Sequence, residues 1–162
     1  MEPILILTTG GTIDKVYFDA KSEYEVGPPA IKTVLSEMNL AVDYRIESLL
    51  RKDSLDISEA DRRTIRAAVM KAPEHKILIT HGTDTMVETA QSLSTIPAKT
   101  VVLTGALEPA LFKTSDALFN IGCALAAAQA MPPGVYIAMN GRIFDGRRVR
   151  KNLEKNRFEE TD

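Results

Sequence analysis

The stretch that decides the fold is ILILTTGGTID at residues 4–14, in which four aliphatic residues run directly into hydroxyl residues and two glycines. Its first part, ILILTT at 4–9, is apolar on both alternations, as in a strand buried on both faces of a parallel sheet. Four further runs have a similar β-rich character: YRIESLL (44–50), KILIT (76–80), TVVLT (100–104) and VYIAMN (135–140). The segments between these runs are long enough for crossover helices, so the sequence predicts an α/β fold with an open, mostly parallel sheet.

The connecting segments carry helical patterns with recognisable starts. Ser58 and Asp61 have the spacing of a capping box, and Thr85 with Glu88 repeats it. HGTD at 81–84 should therefore form the turn between a strand and a helix. Helices are predicted within PPAIKTVLSEM (28–38), SEADRRTIRAAVMKAP (58–73), TMVETAQSLS (85–94) and residues 116–130.

Length and composition predict one soluble domain over residues 1–162. Lysine and arginine number 20 against 22 acids, a formal charge of -2, which argues against nucleic acid and an anionic membrane as partners. The uncharged stretch 117–141 contains Pro132 and Pro133, which would break a spanning helix. The single cysteine, Cys123, and the acidic N-terminus without a signal sequence favour a cytoplasmic protein.

Two stretches do not fit the alternating pattern of strands and helices: Ile13 to Gly27, and the charged segment Arg147 to Asp162. We expect both to be mobile loops. A long loop in a compact domain is often a lid or a binding loop, although simple disorder explains the same residues.

Three loops at strand ends are rich in glycine, hydroxyls and acids: TTGGTID (8–14), THGTDTM (80–86) and TGALEP (104–109). In an open parallel sheet these ends form one rim, where ligands bind. In the first loop, Gly10 and Gly11 permit close backbone approach and Thr12 follows as a candidate nucleophile. An ordinary Gly-Gly turn, with Thr12 bonded to its own backbone, explains the same residues.

The second loop places a candidate base, His81, near Thr83 and Asp84. Taken singly, Asp84 suits a helix cap and His81 suits a hydrogen-bonded residue at a strand end. The sequence has neither a metal-ligand spacing nor a G-x-S-x-G elbow, so we predict no metal, and threonine remains as the nucleophile. A threonine needs a base, for which Lys151 in DGRRVRKN is a candidate, although a solvated basic patch is the simpler interpretation.

Together, ILILTTGGTID, KILITHGTDTMVETA (76–90) and MNGRIFDGRRVRKN (139–152) resemble the bacterial-type L-asparaginase family. The resemblance covers the chain from Ile4 to Lys151. It implies a flavodoxin-like three-layer fold equivalent to that family's N-terminal domain, and an amidohydrolase that releases ammonia from L-asparagine, or sometimes L-glutamine, through an acyl-threonine. It also implies no cofactor, and a homo-oligomer, dimer or tetramer.

The resemblance also assigns roles to residues. Thr12 matches the nucleophile, Tyr24 the flexible-loop tyrosine that closes on the substrate, and Thr83 the second catalytic threonine. Lys151 matches the base in a relay with Thr83, which Asp84 completes.

Substrate binding is implied for a further set of positions. Ser54 matches the serine that holds the α-carboxylate, and Asp84 the acid that pairs with the α-amino group. Gly11, Gly82, Thr83 and Leu55 complete the substrate-binding set.

Three departures from the family pattern qualify these roles. Members typically carry a second, smaller domain that supplies an acid to a neighbouring subunit's site, and we expect this chain to lack that domain. Leu55 replaces a residue that is often polar, and EPALFKTSD at 108–116 differs from the usual loop, although Asp116 and Asn120 keep the pattern. We expect a short form with an open, weakly binding site. The alternatives are an amino-acid-binding regulatory module and an amidase for a larger amide.

Overall fold

The computed structural model describes residues 1–162, and every predicted strand and helix is present in it. The strands are β1 (Ile4–Gly10), β2 (Lys15–Phe18), β3 (Glu23–Val26), β4 (Tyr44–Lys52), β5 (Lys76–Thr80), β6 (Thr100–Thr104), β7 (Gly134–Met139), β8 (Arg142–Asp145), β9 (Val149–Asn152) and β10 (Arg157–Glu160). The α-helices are α1 (Ala30–Ser36), α2 (Glu59–Lys71), α3 (Met86–Ser92) and α4 (Ala117–Ala130). Short 3₁₀ turns cover Thr12–Asp14, Asp19–Lys21 and Ser54–Asp56.

Six strands form the central sheet in the order β4-β1-β5-β6-β7-β8. The first five are parallel, and β8 returns antiparallel to β7. The chain therefore runs from β1 to β4 on one side and then crosses to β5 on the other, which is the doubly wound order. The predicted α/β class with an open, mostly parallel sheet is confirmed.

Alternate residues of β1 face the two sides of the sheet. Leu5 and Leu7 pack in the core that α2 and α3 cover, whereas Ile4 and Ile6 pack in the core under α1 and α4. All four are at most 1% exposed, and each such burial stabilises the fold by about 1.5–3 kcal/mol. Helices on both faces give the expected three layers.

The two stretches expected to be mobile loops are β-hairpins instead. Strands β2 and β3 pair antiparallel within the first, and β9 and β10 within the second. These strands have only four residues each and together contain just two buried residues, Val149 and Phe158, so neither hairpin has the long apolar runs of the central strands. The lid role of the first hairpin stays a prediction.

The two predicted helix starts have different outcomes. In α2, Asp61 N–H donates to the Ser58 hydroxyl at 3.1 Å and Ser58 N–H donates to the Asp61 carboxylate at 2.9 Å, so the capping box is confirmed. The side-chain cap expected at Thr85 is wrong. Its hydroxyl instead donates to the Ser54 carbonyl at 2.7 Å, because the loop after β4 lies within reach of this turn.

The uncharged stretch that includes α4 does not continue as one helix. The helix has 14 residues and ends at Ala130, just before the two prolines. No helix of the structure combines the length and the apolar character needed to cross a bilayer.

Candidate active site

The chain changes direction across the sheet between β1 and β5, and their carboxyl ends lie side by side. Such a switch point opens a crevice at the carboxyl ends of the strands, where ligands bind in open α/β sheets. Gly11 and Thr12 follow β1, residues 81–85 follow β5, and Ser54 follows β4 on the far side of β1. The topology thus brings the first two predicted loops to one rim and adds the loop of Ser54, which was not among the three predicted.

Two glycines let these loops touch. A Cβ on Gly11 would lie 2.4 Å from the Gly82 nitrogen, and a Cβ on Gly82 would lie 2.5 Å from Ser54 Cβ. Gly11 also has a φ of +90°, which side chains rarely adopt. The close packing that these two glycines permit therefore brings Ser54, Gly82 and the turn that carries Thr12 together.

Lys151 joins this rim from the C-terminal hairpin. Its Nζ donates to Thr83 Oγ1 at 2.8 Å and to Asp84 Oδ1 at 2.9 Å. The lysine side chain is 13% exposed, whereas that of Asp84 is 41% exposed. The cluster therefore has a shielded amine and hydroxyl beside a carboxylate that solvent and ligands can reach.

The hairpin register explains why Lys151 faces inward. Lys151 lies opposite Phe158, and Val149 opposite Glu160, so Val149, Lys151 and Phe158 share one face. Val149 and Phe158 are 4% and 3% exposed and anchor the hairpin in the core beside α3. The predicted solvated patch therefore applies to Arg150, which is exposed, and not to Lys151.

Comparison with known proteins gives a match over nearly the whole chain. The family model described as Asparaginase, N-terminal matches residues 3–159. The chain belongs to the asparaginase family. The resemblance seen in the sequence is thus confirmed.

Members of the asparaginase family are similar in sequence and in structure. The L-asparaginase of Thermococcus kodakarensis is 36% identical over 160 residues, which cover 91% of this chain and 47% of that protein. The glutaminase-asparaginase of Acinetobacter glutaminasificans is 31% identical over 168 residues, which cover 93% of this chain and 50% of that protein. The chain spans about half the length of the curated relatives it matches.

Solved structures show the same fold. The thermostable L-asparaginase from Thermococcus kodakarensis matches with a TM-score of 0.85 at 32% identity, covering 98% of this chain and 51% of that one. A probable cytoplasmic L-asparaginase from Campylobacter jejuni matches with a TM-score of 0.77 at 30% identity. The match covers 99% of this chain and 52% of that one. The expected equivalence to the N-terminal domain of asparaginases is confirmed.

The remaining predicted site residues lie at the edge of the rim. Thr12 is half-buried in its 3₁₀ turn, and Leu55, next to Ser54, is 72% exposed. Tyr24 lies on β3 with its ring centroid 5.3 Å from that of Tyr17 and 5.6 Å from that of Phe112. The structure therefore joins Tyr24 to an aromatic group on the hairpin, and its closure over a substrate stays a prediction.

The loop after β6 is fixed by two residues that the sequence marked only as family-like. The Asp116 carboxylate accepts hydrogen bonds from the N–H groups of Leu107, at 3.0 Å, and Glu108, at 3.2 Å. Asn120 Nδ2 donates to the Gly105 carbonyl at 2.9 Å. These bonds hold the third rim loop in place.

Asp14, which the sequence analysis did not single out, links the first loop to the hairpin and to α1. Its buried carboxylate accepts the Ala30 N–H at 2.8 Å, and its carbonyl accepts the Gly27 N–H, also at 2.8 Å. Burial raises the pKa of Asp14 to about 7, although the Ala30 bond and the nearby Arg51 charge oppose this shift. In the sequence, the only signal that pointed to a functional or structural role for Asp14 was its position two residues after Thr12.

Proposed function

We propose that this chain hydrolyses the side-chain amide of L-asparagine to give L-aspartate and ammonia. The observation that carries the proposal is the contact of the Lys151 amine with both Thr83 and Asp84 beside the turn of Thr12. A hydroxyl, an amine and a carboxylate in one chain of hydrogen bonds can move a proton away from a nucleophile. Membership of the asparaginase family supports amide hydrolysis as the reaction.

The charges at the rim suit an amino acid zwitterion. The Asp84 side chain is 41% exposed, so its carboxylate can reach the α-ammonium group, while the buried Ser54 hydroxyl and nearby backbone N–H groups receive the α-carboxylate. Gly11 and Gly82 allow the substrate to approach the backbone closely. Leu55 offers no hydrogen bond next to Ser54, which favours the weak affinity expected from the sequence.

The chemistry proceeds in two steps. The Thr12 hydroxyl attacks the amide carbon and its proton passes to the amide nitrogen through the Lys151 relay, so that ammonia leaves and an ester to threonine remains. Backbone N–H groups of the glycine turns stabilise the oxyanion. Water then cleaves the ester, giving L-aspartate and the free hydroxyl. Thr83 either relays the proton or acts as the second nucleophile.

Three further features belong to the proposal. L-Glutamine is a second candidate substrate, since the family includes a protein named glutaminase-asparaginase. A homo-oligomer and a cytoplasmic location also stay predictions. A binding module and an amidase for larger amides are the alternative functions.

The test is ammonia release from L-asparagine and L-glutamine over a wide concentration range. Wild type is expected to turn over L-asparagine, and Thr12→Ala and Thr83→Ala are expected to lose at least about 10³-fold in kcat. Thr64→Ala is the matched control, because Thr64 is an exposed threonine on α2. Binding of L-asparagine without release of ammonia would favour the binding module, and turnover of a larger amide alone would favour the other alternative.

The glycine contact at the rim gives a second test. Gly82→Ala would place a Cβ 2.5 Å from Ser54 Cβ and 2.8 Å from its Oγ, so one loop must move. We expect KM for L-asparagine to rise about tenfold or more, because displaced binding groups lose their alignment.

Gly122→Ala on α4 is the control, since nothing lies within 4 Å of the added methyl group. Alanine within a helix should leave KM unchanged and stabilise the fold by about 0.5–1 kcal/mol. Equal KM values for the two variants would contradict a role in substrate binding for the contact between Gly82 and the Ser54 loop.

A further inference from the structure

The imidazole of His81 is completely buried, and its hydrogen-bond chain runs from the site loop to helices α3 and α2. Its Nε2 lies 2.8 Å from the Thr89 hydroxyl on α3, and Arg62 Nε on α2 donates to that hydroxyl at 3.1 Å. Its Nδ1 lies 2.7 Å from the Gly82 carbonyl oxygen. This interior chain of hydrogen bonds ends on the peptide directly before Thr83.

The partners assign one tautomer to the ring. The Gly82 carbonyl can only accept, so Nδ1 carries a hydrogen. The Arg62 guanidinium can only donate, so the Thr89 hydroxyl accepts from Arg62 and gives its own hydrogen to Nε2. Burial lowers the pKa of His81 to about 4, and the Arg62 charge acts in the same direction, which agrees with a neutral ring.

Peptide geometry carries this constraint to Thr83. The chain has no cis peptide bonds, and in a planar trans peptide the C=O and the following N–H point in opposite directions. Because the Gly82 carbonyl points at the buried ring, the Thr83 N–H points away from it. No backbone carbonyl accepts this N–H. The donor therefore remains free on the residue whose hydroxyl contacts Lys151.

We propose that His81 is a positioning residue: its Nδ1–H bond to the Gly82 carbonyl aims the Thr83 N–H at the carbonyl oxygen of the substrate. This inference rests on the proposed function. A donor fixed before the reaction stabilises the developing oxyanion without reorganisation. His81 itself does not touch the substrate and does not exchange a proton with it.

Two substitutions of His81 distinguish the role of a donor at the Nδ1 position from the role of the imidazole ring as a whole. In His81→Asn the amide nitrogen is bonded to Cγ, as Nδ1 is, and it can still donate to the Gly82 carbonyl. In His81→Gln the amide lies one bond further out, towards Thr89. We expect kcat of His81→Asn to stay close to that of wild type and kcat of His81→Gln to fall by about 10- to 100-fold. KM should change little in either variant, because Ser54 and Asp84 are untouched.

Nitrogen-15 NMR of the full chain reads the tautomer directly, with the exposed His75 as the internal reference. We expect His81 to carry hydrogen on Nδ1 and none on Nε2, without change from about pH 5 to about pH 8. An Nε2–H tautomer, or titration of His81 within this range, would overturn the inference.

The kcat values of the two His81 variants can overturn the inference independently of the NMR result. If folded His81→Asn and His81→Gln have equal kcat values, whether high or low, the Nδ1–H donor does not set the rate. A wild-type chain that releases no ammonia would count against the proposed function. In that event an Nδ1–H tautomer would still support the geometric step, and an Nε2–H tautomer would overturn it.

Discussion

Replacing Lys151 by methionine is expected to reduce kcat for ammonia release from L-asparagine by about 10³-fold, because the proton acceptor for Thr83 is lost. Methionine keeps most of the apolar stem, so packing of the C-terminal hairpin against the core should persist. Steady-state kinetics checks the rate, and circular dichroism checks the fold. Retention of about a tenth or more of wild-type kcat would contradict a base at this position.

Lys151→Arg is the matched control for charge. Arginine can keep the ion pair with Asp84, but its guanidinium does not lose a proton in proteins. If Lys151 acts as a base, Lys151→Arg should be as slow as Lys151→Met. If arginine restores the rate, the role of Lys151 is electrostatic, and the proton must leave Thr83 by another route.

Replacing Asp14 by asparagine is expected to stabilise the protein at about pH 8 by about 1–3 kcal/mol. The pKa of Asp14 is raised from 3.8 to about 7, so between these values the folded protein holds a proton that the unfolded chain has released. Stability therefore falls as pH rises through this range, and the loss is complete above about pH 7. Asparagine keeps an oxygen that accepts the Ala30 N–H and removes the buried charge.

Urea unfolding of wild type and Asp14→Asn at several pH values tests this prediction. The difference in the free energy of unfolding should grow from about pH 5 to about pH 8 in favour of the variant. His81 contributes the opposite slope in both proteins, because its lowered pKa destabilises the fold as pH falls from about 6.5 to about 4. The difference between the two proteins cancels that contribution. A difference that does not depend on pH would show that Asp14 is already ionised in the folded state at low pH.

The middle of the sheet could be predicted from the sequence because β1, β5 and β6 are buried on both faces. A short apolar run such as KILIT at 76–80 is typical of a strand buried on both faces of a parallel sheet. The hairpins could not be predicted in this way. Their four-residue strands contain few buried positions: β2 and β3 have none, β9 has only Val149 and β10 has only Phe158.

The candidate site could be predicted only in part from local patterns. The glycine turns marked the rim, and His81 was correctly interpreted as a hydrogen-bonded residue at a strand end. Asp84 and Lys151 individually suited a helix cap and a solvated patch. Their contact spans 67 positions and depends on docking of the C-terminal hairpin, which no local pattern contains. The family resemblance supplied that pairing.

Other contributors could not have been found from the sequence. Arg62 and Thr89 lie within amphipathic helices, where a polar residue ordinarily faces solvent. Both are buried here because Thr89 accepts a hydrogen bond from Arg62 and bonds in turn to His81. Asp14 likewise becomes unusual only when the hairpin and α1 enclose it.

Lys151 reaches Thr83 across 68 positions of the chain, and this separation sets an order of events during translation. The ribosome delivers Thr12, Ser54 and Thr83 first, and at about 10 residues per second the amine follows Thr83 after roughly seven seconds. Val149 and Phe158 must then enter the core before the amine is held in place. A nascent chain thus contains the loops of the candidate site before it can form the contact on which the proposed proton relay depends.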